Sequence, residues 1–364
     1  MKVLLAGGGT GGHVVPLLAV AKELRRKTPK VKLLFVGVGQ KIEQELAAAD
    51  EIPYVAVKSG KLRRYFDWRN LTDISGFIFG IFQSLIIVYG FKPDVVFCKG
   101  GYASLPVAIA AWLLRRKIIA HESDSMIGLA NRFSARFARK VATGFPIEIY
   151  PEKLRAKMVF TGNPVRDEFF KLVKKPKKAI LGLDAKMPTI LITGGSQGAR
   201  AVNNAVFEGL TKILNRYQLI HQIGSLDYQT GKDRLETLPE KLKRRYQIFE
   251  FASDLPRLMH FADLVVARAG ANTLAELAIL GKPSILIPLP GSAADHQRRN
   301  ALTLKGVGAI IFLDQAELDG GSLLAQIKKI LTDKKLSKDL SISISRLAKP
   351  KAAERISELI LSQK

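Results

Sequence analysis

MKVLLAGGGTGGHVVPLL, residues 1–18, sets an apolar run at 3–6, long enough for one buried strand, against five glycines (Gly7, Gly8, Gly9, Gly11 and Gly12) and a second apolar run. The order is strand, glycine turn, helix. Glycine tolerates positive φ and lets a ligand approach the main chain, and the first amides of the following helix face whatever sits there, which favours an anionic group such as a nucleotide phosphate. Glycine-rich turns of this kind also occur simply to seat a helix close to a sheet. Thr10 and His13 favour the ligand reading, because a histidine at the mouth of such a turn can take a proton near neutral pH.

At 364 residues and 47% hydrophobic content the chain is folded and long enough for two domains with full cores. Lys plus Arg number 57 against 32 Asp plus Glu, a formal +25, which calls for an anionic partner: nucleic acid, an acidic membrane face or a phosphate-bearing substrate. Cys98 is the sole cysteine, so an intrachain disulfide and a multi-cysteine metal site are both ruled out. Its neighbours Val95, Val96 and Phe97 predict a buried, reduced thiol, as suits the cytoplasm. The run at 3–6 is too short for the apolar core of a signal peptide.

Residues 16–25 have helical spacing and 31–36 (VKLLFV) read as a second strand, a parallel βαβ start. Basic and aromatic residues mix over 61–69 (KLRRYFDWR), and 74–91 then run without a charged side chain. That run falls short of the ~20 residues that span a bilayer, and Gly76, Gly80, Gln83 and Ser84 weaken it further. Two readings stay open, a core helix and a helix whose face touches a membrane; the basic-aromatic flank favours the second. Strands are expected at 93–97 and 118–121, the first followed by a glycine turn at 99–104 and the second ending in His121-Glu122-Ser123-Asp124. Ligands sit at such carboxyl ends in open α/β sheets, although these residues equally suit capping of the helix that begins near Gly128. After a strand at 159–161 and Gly162-Asn163-Pro164-Val165-Arg166, the run KKPKK at 174–178 reads as a solvated linker.

The pattern then restarts. Residues 189–193 (TILIT) form a strand, 194–199 (GGSQGA) a glycine turn and 201–214 a helix, so two Rossmann-like halves are expected. Further strands are predicted at 218–223, 246–251, 264–267 and 284–287, and one helix-spaced stretch at 340–361 is expected to lie back across the first half.

Taken in order, GGGTGGHVVP, GGYAS, HESD, GNPVR, GGSQGA, RAGANTLAE and DHQRRNA closely resemble the MurG family, with motifs spread over nearly the whole chain. These are bacterial cell-wall glycosyltransferases that move N-acetylglucosamine from UDP-N-acetylglucosamine to undecaprenyl-pyrophosphoryl-N-acetylmuramoyl-pentapeptide. The resemblance implies an α/β fold of the GT-B type, two Rossmann-like lobes with a cleft between them, inversion at the sugar carbon, and no required metal or cofactor. It implies a first domain over 1–165, with a C-terminal helix at 341–364 packing back on it, and a UDP-sugar domain over 166–340. His13 is the implied general base, with Thr10, Gly11 and Gly12 on the phosphate side. Ser196 and its turn, helped by Arg166, would hold the UDP diphosphate. Ala252 corresponds to the uracil contact, and Glu276, at the end of Ala271-Asn272-Thr273-Leu274-Ala275, to the carboxylate that accepts from the ribose. Gln297 would read the donor sugar, with Asp124 and Asn131 near it. Two positions depart from the family pattern: many relatives read HEQN where this chain has HESD, so at Asp124 an amide gives way to a carboxylate that only accepts when ionised, and His296 replaces a glutamine ahead of Gln297. The implied partners are the two substrates and an anionic membrane surface, not nucleic acid, with the protein peripheral on the cytoplasmic face.

Two other classes fit less well. An NAD-dependent oxidoreductase needs an acidic residue at the end of the second strand to hold the ribose, and the chain there reads Gly37-Val38-Gly39-Gln40. A basic membrane- or nucleic-acid-binding module would explain the charge but leaves the paired glycine turns and the Glu276 and Gln297 constellation without a purpose.

Overall fold

The structure, a computed structural model, describes residues 1–9, 11–60, 69–171, 182–195, 198–252, 254–292 and 295–363, with the backbone alone at 11 and 69–74. The chain divides into two units, Met1–Arg166 with Lys349–Lys364, and Asp167–Ala348. Arg166 therefore closes the first unit. Residues 61–68, which hold most of KLRRYFDWR, and the KKPKK run lie outside the described residues.

Among the described residues the first unit holds a seven-stranded parallel sheet of β1 (Lys2–Gly8), β2 (Lys32–Gly37), β3 (Tyr54–Ala56), β4 (Val95–Gly101), β5 (Lys117–Glu122), β6 (Lys140–Thr143) and β7 (Met158–Phe160), in the order β3-β2-β1-β4-β5-β6-β7. Helices cover both faces of such a sheet, so its central strands are apolar throughout instead of alternating, and Val3 to Ala6 are fully buried. Leu4 lies opposite Leu34 on one side and Val96 on the other. The Ala352–Leu361 helix adds Ile356 and Ile360 to this core and packs on the Gly11–Lys27 helix, where Lys27 pairs with Glu354 and Glu358. The second unit repeats the pattern with β8 (Thr189–Thr193), β9 (Gln218–Gln222), β10 (Tyr246–Phe249), β11 (Leu264–Ala267), β12 (Ser284–Leu286) and β13 (Ile311–Phe312), in the order β10-β9-β8-β11-β12-β13.

Three details differ from the sequence reading. The stretch at 340–361 is two helices, Lys334–Ser345 and Ala352–Leu361, and the first belongs to the second unit, where it packs on the Ala271–Leu280 helix. Pro350 stands between them, and it has no amide hydrogen to donate to a helix running through it. Residues 99–101, read as a turn, continue β4, since their backbone still pairs with the end of β1. The short strands β3, β6 and β13 went unread because two to four residues carry too little periodicity to stand out.

In both units the strand order reverses beside the first strand, between β1 and β4 and between β8 and β11. Ligands of open α/β sheets bind at the carboxyl ends flanking such a switch point. In the first unit the chains meet there so closely that a Cβ on Gly101 (φ 79°) would collide with the Gly8 carbonyl oxygen.

Candidate active site

At the carboxyl edge of the first sheet, the Gly11–Lys27 helix starts just after β1 and carries half-buried His13 as its third residue. Thr10 lies outside the described residues. Gly11 and Gly12 form the helix's first turn, so their amides belong to its positive end.

The end of β5 is a buried polar cluster. Glu122 accepts the Asp124 amide at 3.0 Å, the Gly128 amide at 2.8 Å and Asn131 Nδ2 at 3.0 Å, so it ties together the loop that leads into the Leu129–Phe137 helix. Burial, with the Asp124 charge second, pushes its carboxyl above the ordinary range. Asn131 also donates to the His121 carbonyl at 3.0 Å, so its amide hydrogens serve this turn, and its Oδ1 is buried as well. The Tyr150 hydroxyl donates to the Asp124 carbonyl at 2.7 Å, which fixes that residue's backbone. Lys99, at the end of β4 and also buried, donates to the Ser123 hydroxyl. Burial lowers its pKa to about 8, against the pull of Glu122 and Asp124. His121 lies fully buried against the Gly162 carbonyl and is held well below its ordinary pKa, by burial first and by Lys99 second, so it is neutral. Arg166 follows β7 on the same edge, half-buried.

In the second unit the carboxyl edge gathers the remaining sequence-derived residues. Ser196 lies outside the described residues, but its turn is defined on both sides. Gln222, at the end of β9, donates to the Gly195 carbonyl at 2.8 Å, and a Cβ on Gly198 (φ 77°) would collide with the Ile223 carbonyl oxygen. The turn opens directly into the Arg200–Leu214 helix. Ala252, buried, follows β10. Ala271, Asn272, Thr273, Leu274 and Ala275 form the start of the Ala271–Leu280 helix after β11, and Glu276 is 8% exposed one residue further on, too buried for an ordinary surface carboxylate. Asn300 Nδ2 holds the approach to this helix by its bond to the Ala269 carbonyl at 3.2 Å. Gln297 is half-buried, and its Oε1 accepts the Leu289 amide at 3.0 Å, which leaves the Nε2 side for a ligand hydroxyl. Arg268 bonds the carbonyls of Ile287 and Pro288 and Gln315 Oε1, a brace across the ends of β11 and β12.

Sequence reasoning passed over three of these residues. Gln222 and Lys99 each carried a signal, a polar side chain at the carboxyl end of an apolar strand. Glu43 carried none. It sits in the Lys41–Ala49 helix, fully buried, and its carboxylate reaches the end of β2, where the sequence showed no acid. The expectation of a β2 end without a carboxylate is therefore corrected: one is present there, but it is bonded to the protein's own donors.

Two family models match: the glycosyltransferase family 28 N-terminal domain over residues 3–143, and its C-terminal domain over 189–356. A protein of Listeria monocytogenes serovar 1/2a, named UDP-N-acetylglucosamine–N-acetylmuramyl-(pentapeptide) pyrophosphoryl-undecaprenol N-acetylglucosamine transferase, is 38% identical over 363 residues, covering 100% of this chain and 99% of its own. A Thermodesulfovibrio yellowstonii protein of the same name is 36% identical over 366 residues, covering 99% and 98%. The crystal structure of Acinetobacter baumannii MurG matches with a TM-score of 0.74 and 26% identity over 99% of both chains. Likeness that runs end to end through both units reflects common descent, and the chain belongs to the MurG family of family 28 glycosyltransferases.

Proposed function

We infer that the protein is an inverting hexosyltransferase that moves N-acetylglucosamine from UDP-N-acetylglucosamine to undecaprenyl-pyrophosphoryl-N-acetylmuramoyl-pentapeptide, converting lipid I to lipid II in peptidoglycan synthesis. The observation that carries this reading is the full-length likeness to relatives bearing that name. An acceptor hydroxyl is a poor nucleophile, so His13 takes its proton as the oxygen bonds the anomeric carbon. The bond from that carbon to the diphosphate breaks at the same time, and UDP leaves with the electron pair. Amides at the start of the Arg200–Leu214 helix, the turn around Ser196 and the Arg166 guanidinium offset the charge on the leaving diphosphate. Glu276 accepts from the ribose, Ala252 lies against the uracil, and Gln297 and Asp124 address the sugar.

Labelled UDP-N-acetylglucosamine and a lipid-pyrophosphoryl muramoyl acceptor are expected to give the disaccharide product, with or without chelator. Calorimetric binding of NAD with no response to UDP would overturn the assignment. Glu276→Ala is expected to raise the donor KM about ten-fold or more, as loss of a charged hydrogen-bonding group does, with the acceptor KM nearly unchanged. An unmoved donor KM removes Glu276 from the site.

The same reading places the protein peripherally on the cytoplasmic face of the membrane, where its lipid-tethered acceptor lies. The Arg69–Phe91 helix supports this, because neither of the two sequence readings alone describes it. Gly80, Ser84 and Val88 are buried along one face, with Gly80 so close to the Lys58 carbonyl that a Cβ there would meet it, and the helix packs on Ser104–Leu113. The other face leaves Ile78, Phe79, Phe82, Ile86 and Tyr89 exposed, Ile86 by 74%. Lys58 and Lys92 lie over the rings of Phe79 and Tyr89, and Trp112 and Leu113 of the neighbouring helix are exposed as well. Among the described residues no helix is long and apolar enough to cross a membrane. An apolar ridge with cations beside it suits insertion into an anionic interface. Co-sedimentation with anionic vesicles is expected, weakening as salt rises and in a Phe79→Ser, Phe82→Ser double variant that stays folded, since the two side chains are 49% and 60% exposed. Wild-type protein that ignores anionic vesicles would mean that some other surface meets the membrane.

A further inference from the structure

Glu43 is fully buried and its two oxygens are fully engaged. Oε1 accepts the Gly9 amide at 2.6 Å, and Oε2 accepts the Val38 amide at 2.9 Å and the Tyr54 hydroxyl at 2.6 Å. The Tyr54 oxygen accepts the Gly39 amide in turn at 2.7 Å, and Gln40 Nε2 donates to the Gly9 carbonyl at 3.1 Å. The glycine turn after β1 is thus tied on both its amide and its carbonyl side to the segment after β2. Two glycines make the room: a Cβ on Gly8 would collide with Glu43 Oε1, and one on Gly37 with Oε2. Burying a carboxylate is costly unless its oxygens are satisfied, and three donors satisfy this one.

The space beyond the ends of β1 and β2 is where a sheet of this strand order receives the nucleoside of a dinucleotide, with an acid at the end of β2 accepting from the ribose. Here an acid occupies that place and spends both oxygens on the chain itself. The second unit treats its matching turn differently, since Gln222 donates a neutral amide to the Gly195 carbonyl and sets no negative charge beside the turn. We propose that Glu43 is a positioning residue that latches the first glycine turn for the acceptor's diphosphate and, by filling the crevice, keeps that turn from taking a nucleotide. With the Gly9 amide committed to Glu43, an acceptor anion meets the later amides, at the start of the helix that carries His13. The acceptor half of this proposal rests on the function inferred above; the latch does not.

The test uses the full-length protein with Glu43→Gln, which keeps the side chain's size but replaces one acceptor oxygen by a donor, and Tyr54→Phe, which leaves both amide bonds in place. In Glu43→Gln, amide hydrogen exchange over residues 7–12 is expected to quicken about ten-fold or more while residues 193–199 keep their wild-type rate. The acceptor KM is expected to rise about ten-fold, with the donor KM and the calorimetric affinity for UDP within about two-fold of wild type, a split that general loosening of the fold would not produce. Tyr54→Phe should shift exchange and acceptor KM in the same direction by about three-fold, and it decides the matter if Glu43→Gln does not fold. Unchanged exchange over 7–12 overturns the latch, whatever reaction the protein runs. Faster exchange with an unmoved acceptor KM, or with an equal rise in donor KM, overturns the acceptor role.

Discussion

His13→Ala is expected to lower turnover by about 100-fold or more while leaving the affinity for UDP-N-acetylglucosamine nearly unchanged. The imidazole stands in the first turn of the Gly11–Lys27 helix, in the first unit, whereas Ala252 and Glu276, read as holding the uracil and the ribose, lie in the second. On the mechanism proposed above, removing it deletes the proton acceptor for the attacking hydroxyl and none of the uridine or ribose contacts. The fall in rate on the acid side, which reports protonation of the base, should disappear with it. Steady-state kinetics across pH with saturating donor check both. A variant that keeps wild-type turnover and the wild-type profile would make His13 a structural residue of the turn.

Acid should weaken the second unit through His221, a residue the sequence reading passed over. Its ring is fully buried, with Nδ1 2.9 Å from the Tyr246 hydroxyl and Nε2 3.0 Å from Asn203 Oδ1. Asn203 Nδ2 donates to the Ile223 carbonyl and to Asp227, which turns Oδ1 towards the ring. An amide oxygen only accepts, so Nε2 carries the proton and Nδ1 accepts from Tyr246. Burial pushes the histidine down to about 3 from 6.5. Because the folded value lies below the unfolded one, this stability is present in full above pH 6.5 and is lost as pH falls towards 3. At pH 4 the loss is about 3 kcal/mol. His121 acts in the same direction in the first unit, so the comparison that isolates His221 is wild type against His221→Gln. Urea unfolding should show the variant weaker at pH 7 but losing about 3 kcal/mol less between pH 7 and pH 4. Parallel declines would mean that the ring is not held neutral. Gln222, the next residue, ties the turn around Ser196, so donor affinity is expected to fall with the same acid transition.

Much of the architecture was legible because its signals are local. An apolar run, then glycines, then helical spacing needs only neighbouring residues, and it occurs at both 3–18 and 189–214. The repeat implied two doubly wound sheets, and the strand orders agree. The carboxyl-end residues were legible for the same reason, since a parallel sheet brings every βα turn to one edge wherever the strands fall in the chain. The Arg69–Phe91 helix was only half legible: lack of charge marks an apolar helix, but which face is covered depends on the helix beside it.

What the sequence by itself determined, then, is the pair of sheets, the two glycine turns and the edge on which the candidate site residues gather. Tertiary structure alone decided what those residues are bonded to. Glu43 meets Gly9 across 34 positions, Gln222 meets Gly195 across 27, and Lys99 meets Ser123 across 24. Side chains so far apart in the chain leave no mark in local periodicity, because the pairing is set by which strands lie adjacent and how far each helix reaches past their ends. The acid missing from the end of β2 is the clearest instance: a helix that begins four residues later carries one back to it, and burial there leaves that carboxylate no partners except the chain's own amides and Tyr54.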